Sequence, residues 1–297
     1  MGNLFEEPDV LHQLLTPTED FPSIRKPDTH DWLAQHEESG QTFDEYRDAR
    51  SDPPDQAKRI IYLLPIGDFS QETSPDLDKI TSYAAAFFQL PVKRLPAYMP
   101  TAGEFKPRAN PHSHERQLFT REILQFLKTK LPTDGCCLLG ITMTDLYPNP
   151  SWNYVFGEAS LNEHVGIYSF ARYDPAFWDD PRGENFREVI LQRSCKVFSH
   201  EMSHMFGLPH CVYFSCLVNG ANHLGEMDQT PLFACPVCLR KLHLAIGFDV
   251  VKRYRDLAEF YRTQKWEKEL AWVERQLARL PPDSERESSN TPKKPAN

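Results

Sequence analysis

An α/β domain with a twisted, mixed sheet is the fold class this sequence predicts, and three observations carry the expectation. Strand-like apolar runs alternate with helix-period segments along residues 59–143, the layout of strands joined by crossover helices. Two further apolar runs then follow with no crossover helix between them, which suits an antiparallel edge pair. Residues 185–207 read as one long helix. With 297 residues, 40% hydrophobic and 12% aromatic, the chain can fill a core of that size.

The elements follow in order. "RIIYLLPIG" (59–67) is a short apolar run bounded by charge and Gly, a buried strand. In "SPDLDKITSYAAAFFQL" Ser74 is the expected N-cap and Pro75 takes the first helical position. "PVKRLPAYM" (91–99) reads as a second strand. "ERQLFTREILQFLKTK" (115–130) reads as an amphipathic helix with Leu118, Ile123, Phe126 and Leu127 on or near one face. "GCCLLGITM" (135–143) is a third strand, with Cys136 and Cys137 as core thiols, since adjacent cysteines leave no gap for chelation. "WNYVFGEAS" and "VGIYSFARY" form the antiparallel pair, and the strand near 153–159 is an edge that can align an extended peptide. Residues 58–278 are the expected folded domain. Residues 1–57 are read as an acidic, partly disordered extension and 279–297 as a disordered tail.

Charge is unevenly spread. Residues 1–57 carry 14 acidic and 4 basic side chains, a net of −10, against −9 for the whole chain. The remainder is therefore close to neutral at +1, and the acidity belongs to the N-terminal extension. Its "HDWLAQH" and "TFDEYRD" segments carry aromatics that can dock on the core. No basic stripe marks a nucleic-acid surface, and no run of about 18 apolar residues marks a membrane span. The N-terminus lacks a basic region followed by an apolar one, and Glu6 stands where a myristoylation signal wants Ser or Thr. Cytoplasm or nucleus is the expected location. In that reducing setting, seven cysteines read as metal ligands and buried thiols.

The densest chemistry lies in "HEMSHMFGLPHCVYFSC" (200–216). At about 100° per residue, His200 and His204 sit about 40° apart on one helix face, spaced to chelate one ion. Cys195, Phe198, Met202 and Phe206 lie on the opposite side and give the helix a core to pack against. Gly207 can take the left-handed conformation that ends a helix and turns the chain, bringing His210 back toward the two helical imidazoles. Three histidines leave one coordination position open, the arrangement of a catalytic zinc. Glu201, beside the first histidine, can act on a zinc-activated water without ligating the metal. Of the other histidines, only His223 lies near enough in sequence to the cluster to attract suspicion. His112 and His114 read as a solvated loop.

Cys211 and Cys216 precede "CPVC", which adds Cys235 and Cys238. Two close pairs separated by a loop suit a closed, tetrahedral Cys₄ zinc site. His210 and Cys211 are neighbours whose side chains ordinarily diverge, so the reading is two zinc ions per chain, one catalytic and one structural.

HExxHxxGxxHC followed by CxxxxC and CxxC is similar to the signature of the archaemetzincins, a branch of the metzincin metallopeptidases. The resemblance covers roughly residues 59–262, including "GITMTDLYP", "AIGFDVVKRY" and the two strand-like runs before the long helix. It implies a metzincin-like catalytic domain with a long active-site helix and a zinc-braced C-terminal subdomain. It also implies catalytic zinc on His200, His204 and His210, Glu201 as general base, and structural zinc on Cys211, Cys216, Cys235 and Cys238. Where the family pattern places the methionine of the Met-turn, this chain has Val218, apolar but smaller. The expected activity is hydrolysis of peptides or proteins, with no nucleic-acid or membrane partner and an oligomeric state left open. The rival expectation is a zinc-stabilised binding module whose HExxH site turns over weakly. A nucleic-acid zinc finger fails on charge.

Overall fold

The computed structural model describes residues 9–49, 57–70 and 72–280. Three short helices come first: α1 (Asp9–Leu15), α2 (Trp32–Gln35) and α3 (Phe43–Ala49). The alternating region contains β1 (Ile60–Ile66), α4 (Leu77–Phe88), β2 (Val92–Arg94), β3 (Arg108–Ala109), β4 (Arg116–Phe119), α5 (Thr120–Lys128) and β5 (Gly135–Thr142). Then come β6 (Asp145–Tyr147), β7 (Gly157–Ala159), β8 (Val165–Ser169) and the long α6 (Phe186–Met205). The chain continues through α7 (Leu224–Gln229), α8 (Pro236–Ile246), α9 (Val250–Gln264) and α10 (Glu267–Ala278).

The main sheet has the order β2-β1-β5-β8-β7. β2, β1, β5 and β8 run parallel, and β7 pairs antiparallel with β8 at the margin. This is the mixed sheet with an antiparallel edge that the sequence predicts. Apolar side chains cover both faces: α4, α6 and α9 contribute to the cluster on one, and α5 to the cluster on the other. Cys137 is fully buried there and Cys136 half-buried, its thiol donating to the Ile60 carbonyl.

Several expected elements differ, and the edge strand expected near 153–159 is shortened to Gly157–Ala159. The helix after β1 starts at Leu77, because the Asp76 carboxylate accepts from the amides of Asp78 and Lys79 and displaces Ser74 as cap. An ionised cap also complements the positive end of the helix. The second strand stops at Arg94. Pro96 cannot donate to a ladder, and only an isolated bridge, Ile66 to Tyr98, resumes the pairing. The expected helix 115–130 is split: Arg116–Phe119 form β4, in a second sheet of order β3-β4-β6. Gln117 decides it, fully buried with its amide donating to the Asp145 carboxylate on the neighbouring strand.

Residues 9–49 are docked on the body. Leu14, Phe21 and Tyr46 are buried, and residues 22–24 flank the loop before Cys216, with Ile24 donating to the Tyr213 carbonyl and Ser215 donating to that of Pro22. Residues 281–297, most of the expected tail, lie outside the described residues.

Candidate active site and metal centres

Helix α6 carries His200 and His204 one turn apart, and its C-terminal turn delivers the third imidazole. Phe206 caps the helix, Gly207 takes φ +85°, and the chain doubles back so that His210 faces the pair. Ring centroids are 4.6 Å apart for His200 and His204, 5.3 Å for His200 and His210, and 5.0 Å for His204 and His210. Each Nδ1 has a partner: the Leu217 carbonyl at 3.0 Å from His200, the Leu208 carbonyl at 2.6 Å from His204, and the Glu38 carboxylate at 2.8 Å from His210.

Those partners set the tautomers. A carbonyl or carboxylate only accepts, so each Nδ1 carries a proton and Nε2 is the nitrogen left to face a metal. The Nε2 atoms of His200 and His204 are nonetheless 3.0 Å apart. Two lone pairs cannot hydrogen-bond each other, and the arrangement calls for a cation. Burial, reinforced by the neighbouring histidines, holds the His200 imidazole well below its usual range and His204 down to about 4, so both are neutral donors. Zinc–nitrogen bonds of about 2.0–2.1 Å at tetrahedral angles place donors about 3.3 Å apart, close to what is seen. The donor set fits zinc.

Glu201 is 5% exposed and turns toward the edge strand. Gly157 of β7 lies so close that a Cβ there would stand 2.5 Å from Glu201 Oε1. Burial, with a smaller contribution from the charge of Glu158, pushes the Glu201 carboxyl up to about 8. Glu158 itself accepts a hydrogen bond from the Thr120 hydroxyl. The histidines, Glu201 and the β7 edge line one cleft of about 550 Å³, with Trp32 and Trp152 also on its wall.

The four cysteines gather separately, every one of them buried. Cys235 is the N-cap of α8 and Cys238 lies in its first turn, where the helix dipole favours negative sulfur. The amides of Val218 and Cys235 donate to Cys216 Sγ. Hydrogen bonds from Cys216, Cys235 and Cys238 hold the Cys211 thiol far below its usual range. Burial pushes Cys216 up, and the neighbouring thiols, followed by burial, raise Cys238. Zinc–sulfur bonds of about 2.3 Å put tetrahedral sulfurs about 3.8 Å apart; Cys211 and Cys235 Sγ are 3.7 Å apart. This set also fits zinc.

Val218 is fully buried between the two groups: its carbonyl accepts from Cys211, and the preceding carbonyl holds His200. His223 joins neither cluster. It caps α7 and contacts Asp31 at 3.2 Å, while Arg25 and the amides of Trp32 and Asn222 satisfy the adjoining Asp31 and Glu226 carboxylates.

The model of Peptidase family M54 matches residues 122–244. Archaemetzincin-2 from Pongo abelii is 38% identical over 86% of this chain and 78% of its own length. The chain belongs to the archaemetzincin family. Archaemetzincin-2 from Homo sapiens is similar at 37% identity, with the same coverage. A solved archaemetzincin from Methanopyrus kandleri superposes with a TM-score of 0.51 and 25% identity, covering 66% of this chain and 99% of that one. At family level this archaemetzincin is a zinc metallopeptidase, and its substrates are peptides or proteins.

Several site features escape sequence reading. The Leu208 and Leu217 carbonyls have no residue-type signature. Gly157 had a faint one, since an isolated glycine in a strand pattern signals close approach. Glu38 had none: it is one of 14 acidic residues in the extension and lies 172 positions from its partner.

Proposed function

We propose that this archaemetzincin cleaves peptide bonds with a catalytic zinc on His200, His204 and His210, Glu201 as general base, and a second, structural zinc on Cys211, Cys216, Cys235 and Cys238. The convergence of three histidines whose Nδ1 atoms are all hydrogen-bonded carries the reading. Zinc held there supplies Lewis acidity, polarising a peptide carbonyl and making water easier to deprotonate. Glu201 takes the proton and passes it to the leaving amine. β7 has no strand on its outer side among the described residues, so an extended substrate can add there beside Glu201. The reading includes no nucleic-acid or membrane partner. It places the protein in cytoplasm or nucleus, where reduced cysteines persist.

Two variants test it. Glu201→Ala should retain both zinc ions and the fold while hydrolysis falls by about 10²–10⁴-fold. His204→Ala should lose one zinc together with activity. Zinc content and turnover of a peptide library decide the matter. Wild-type turnover in Glu201→Ala removes Glu201 as the base, and a wild type that binds two zinc ions yet cleaves nothing supports the binding-module alternative.

A further inference from the structure

The three histidines are not held in the same way. His200 and His204 stand on a helix, and their Nδ1 acceptors are carbonyls of the chain that immediately follows. His210 comes after Pro209 in an irregular stretch, with no helix to fix its backbone. Its Nδ1 partner is a carboxylate from residues 9–49, Glu38 Oε1 at 2.8 Å. A carboxylate is the stronger acceptor, and one behind a ligating histidine fixes the ring and raises its basicity.

Glu38 is itself built in. The Trp32 indole N–H donates to the same oxygen at 3.0 Å, and the Trp32 ring stands edge-on to His210 with centroids 5.0 Å apart. Glu38 Oε2 is buried and has no hydrogen-bond partner among the described residues. Burying a carboxylate is costly, and a segment that only covered the surface would gain nothing from one at this position. The segment is fixed around the site. The Tyr46 hydroxyl donates to the Phe206 carbonyl where α6 ends, Lys241 Nζ donates to the Gln41 carbonyl, and the Trp32 amide donates to Glu226.

We propose that Glu38 is a positioning residue for the metal site: the docked N-terminal segment supplies the carboxylate that orients His210 and strengthens its Nε2 as a zinc donor. Residues 9–49 are then a working part of the active site. The inference rests on the reading of the three histidines as zinc ligands.

The test uses full-length protein with the cysteine site loaded, and zinc itself as the probe. Competition with a chelator should show the histidine site of Glu38→Ala binding zinc about 10–100-fold more weakly than wild type. Glu38→Gln keeps shape and an acceptor without the charge, so its affinity should fall between the two. In the zinc-loaded protein the His210 Nδ1–H proton resonance should move upfield in Glu38→Gln while those of His200 and His204 stay in place. Loss of packing alone does not produce that signature. Glu38→Ala binding zinc as tightly as wild type overturns the proposal. If Glu38→Ala does not fold, Glu38→Gln decides: wild-type affinity and an unmoved His210 resonance also overturn it. Retention of the histidine-site zinc in His204→Ala would instead defeat the underlying zinc reading, so the two failures are distinguishable.

Discussion

The two clusters meet at one peptide bond, His210–Cys211, yet they are built on opposite principles. The histidines are partly exposed at the floor of an open cleft, and three donors leave a position free. The cysteines are buried, four donors closing on one centre, with amide N–H groups directed at sulfur. One arrangement keeps a metal reactive and the other quenches it. The difference shows how a reactive site obtains rigidity. The loop that offers His210 to the cleft is clamped one residue later by the buried cysteine cluster, and Val218 ties the two by bonding to Cys211 while following the Leu217 carbonyl that holds His200.

Breaking the closed site should have the largest effect. In zinc-finger peptides, structural zinc contributes about 10–16 kcal/mol of binding energy that is also folding energy. Cys235→Ser should therefore lower the melting temperature sharply, and histidine-site zinc should fall with it because His210 is braced through Cys211. Elemental analysis and calorimetry check both. Full histidine-site occupancy with an unchanged melting temperature would show that the clusters are independent.

Emptying the open site should be milder for the fold and complete for turnover. Brief treatment with a mild chelator should remove one zinc, abolish hydrolysis and leave the cysteine-site zinc in place, with activity restored by added zinc. Release of both ions at the same rate would remove the open-versus-closed distinction.

The smallest effect is expected at Gly157, which tests the cleft wall. A Cβ there would meet Glu201 Oε1 at 2.5 Å and Cδ at 2.7 Å. Displacing the carboxylate by about an ångström should cost about 10²-fold in turnover. Gly157→Ala should keep both zinc ions and melt like wild type. Unchanged kcat would mean that Glu201 does not act from the position it occupies here.

Much of this protein was written locally in its sequence. The one-turn spacing of His200 and His204, with Glu201 next to the first, fixes their directions because a helix advances by a constant angle. Gly207 permits the reversal because it alone lacks the Cβ that opposes a positive φ. The close cysteine pairs and the apolar runs of β1, β5 and β8 declared themselves in the same way, as short patterns with a fixed geometry. Tertiary structure decided what depends on distant docking. "RQLF" became strand because Gln117 found Asp145 across the second sheet, although the segment continues a helix pattern. Glu38 reached His210 only because residues 9–49 folded back around the end of α6. Spacing along a chain encodes angles within one element. Which carboxylate stands behind which imidazole depends on the energy of packing whole segments together, and no short pattern records that.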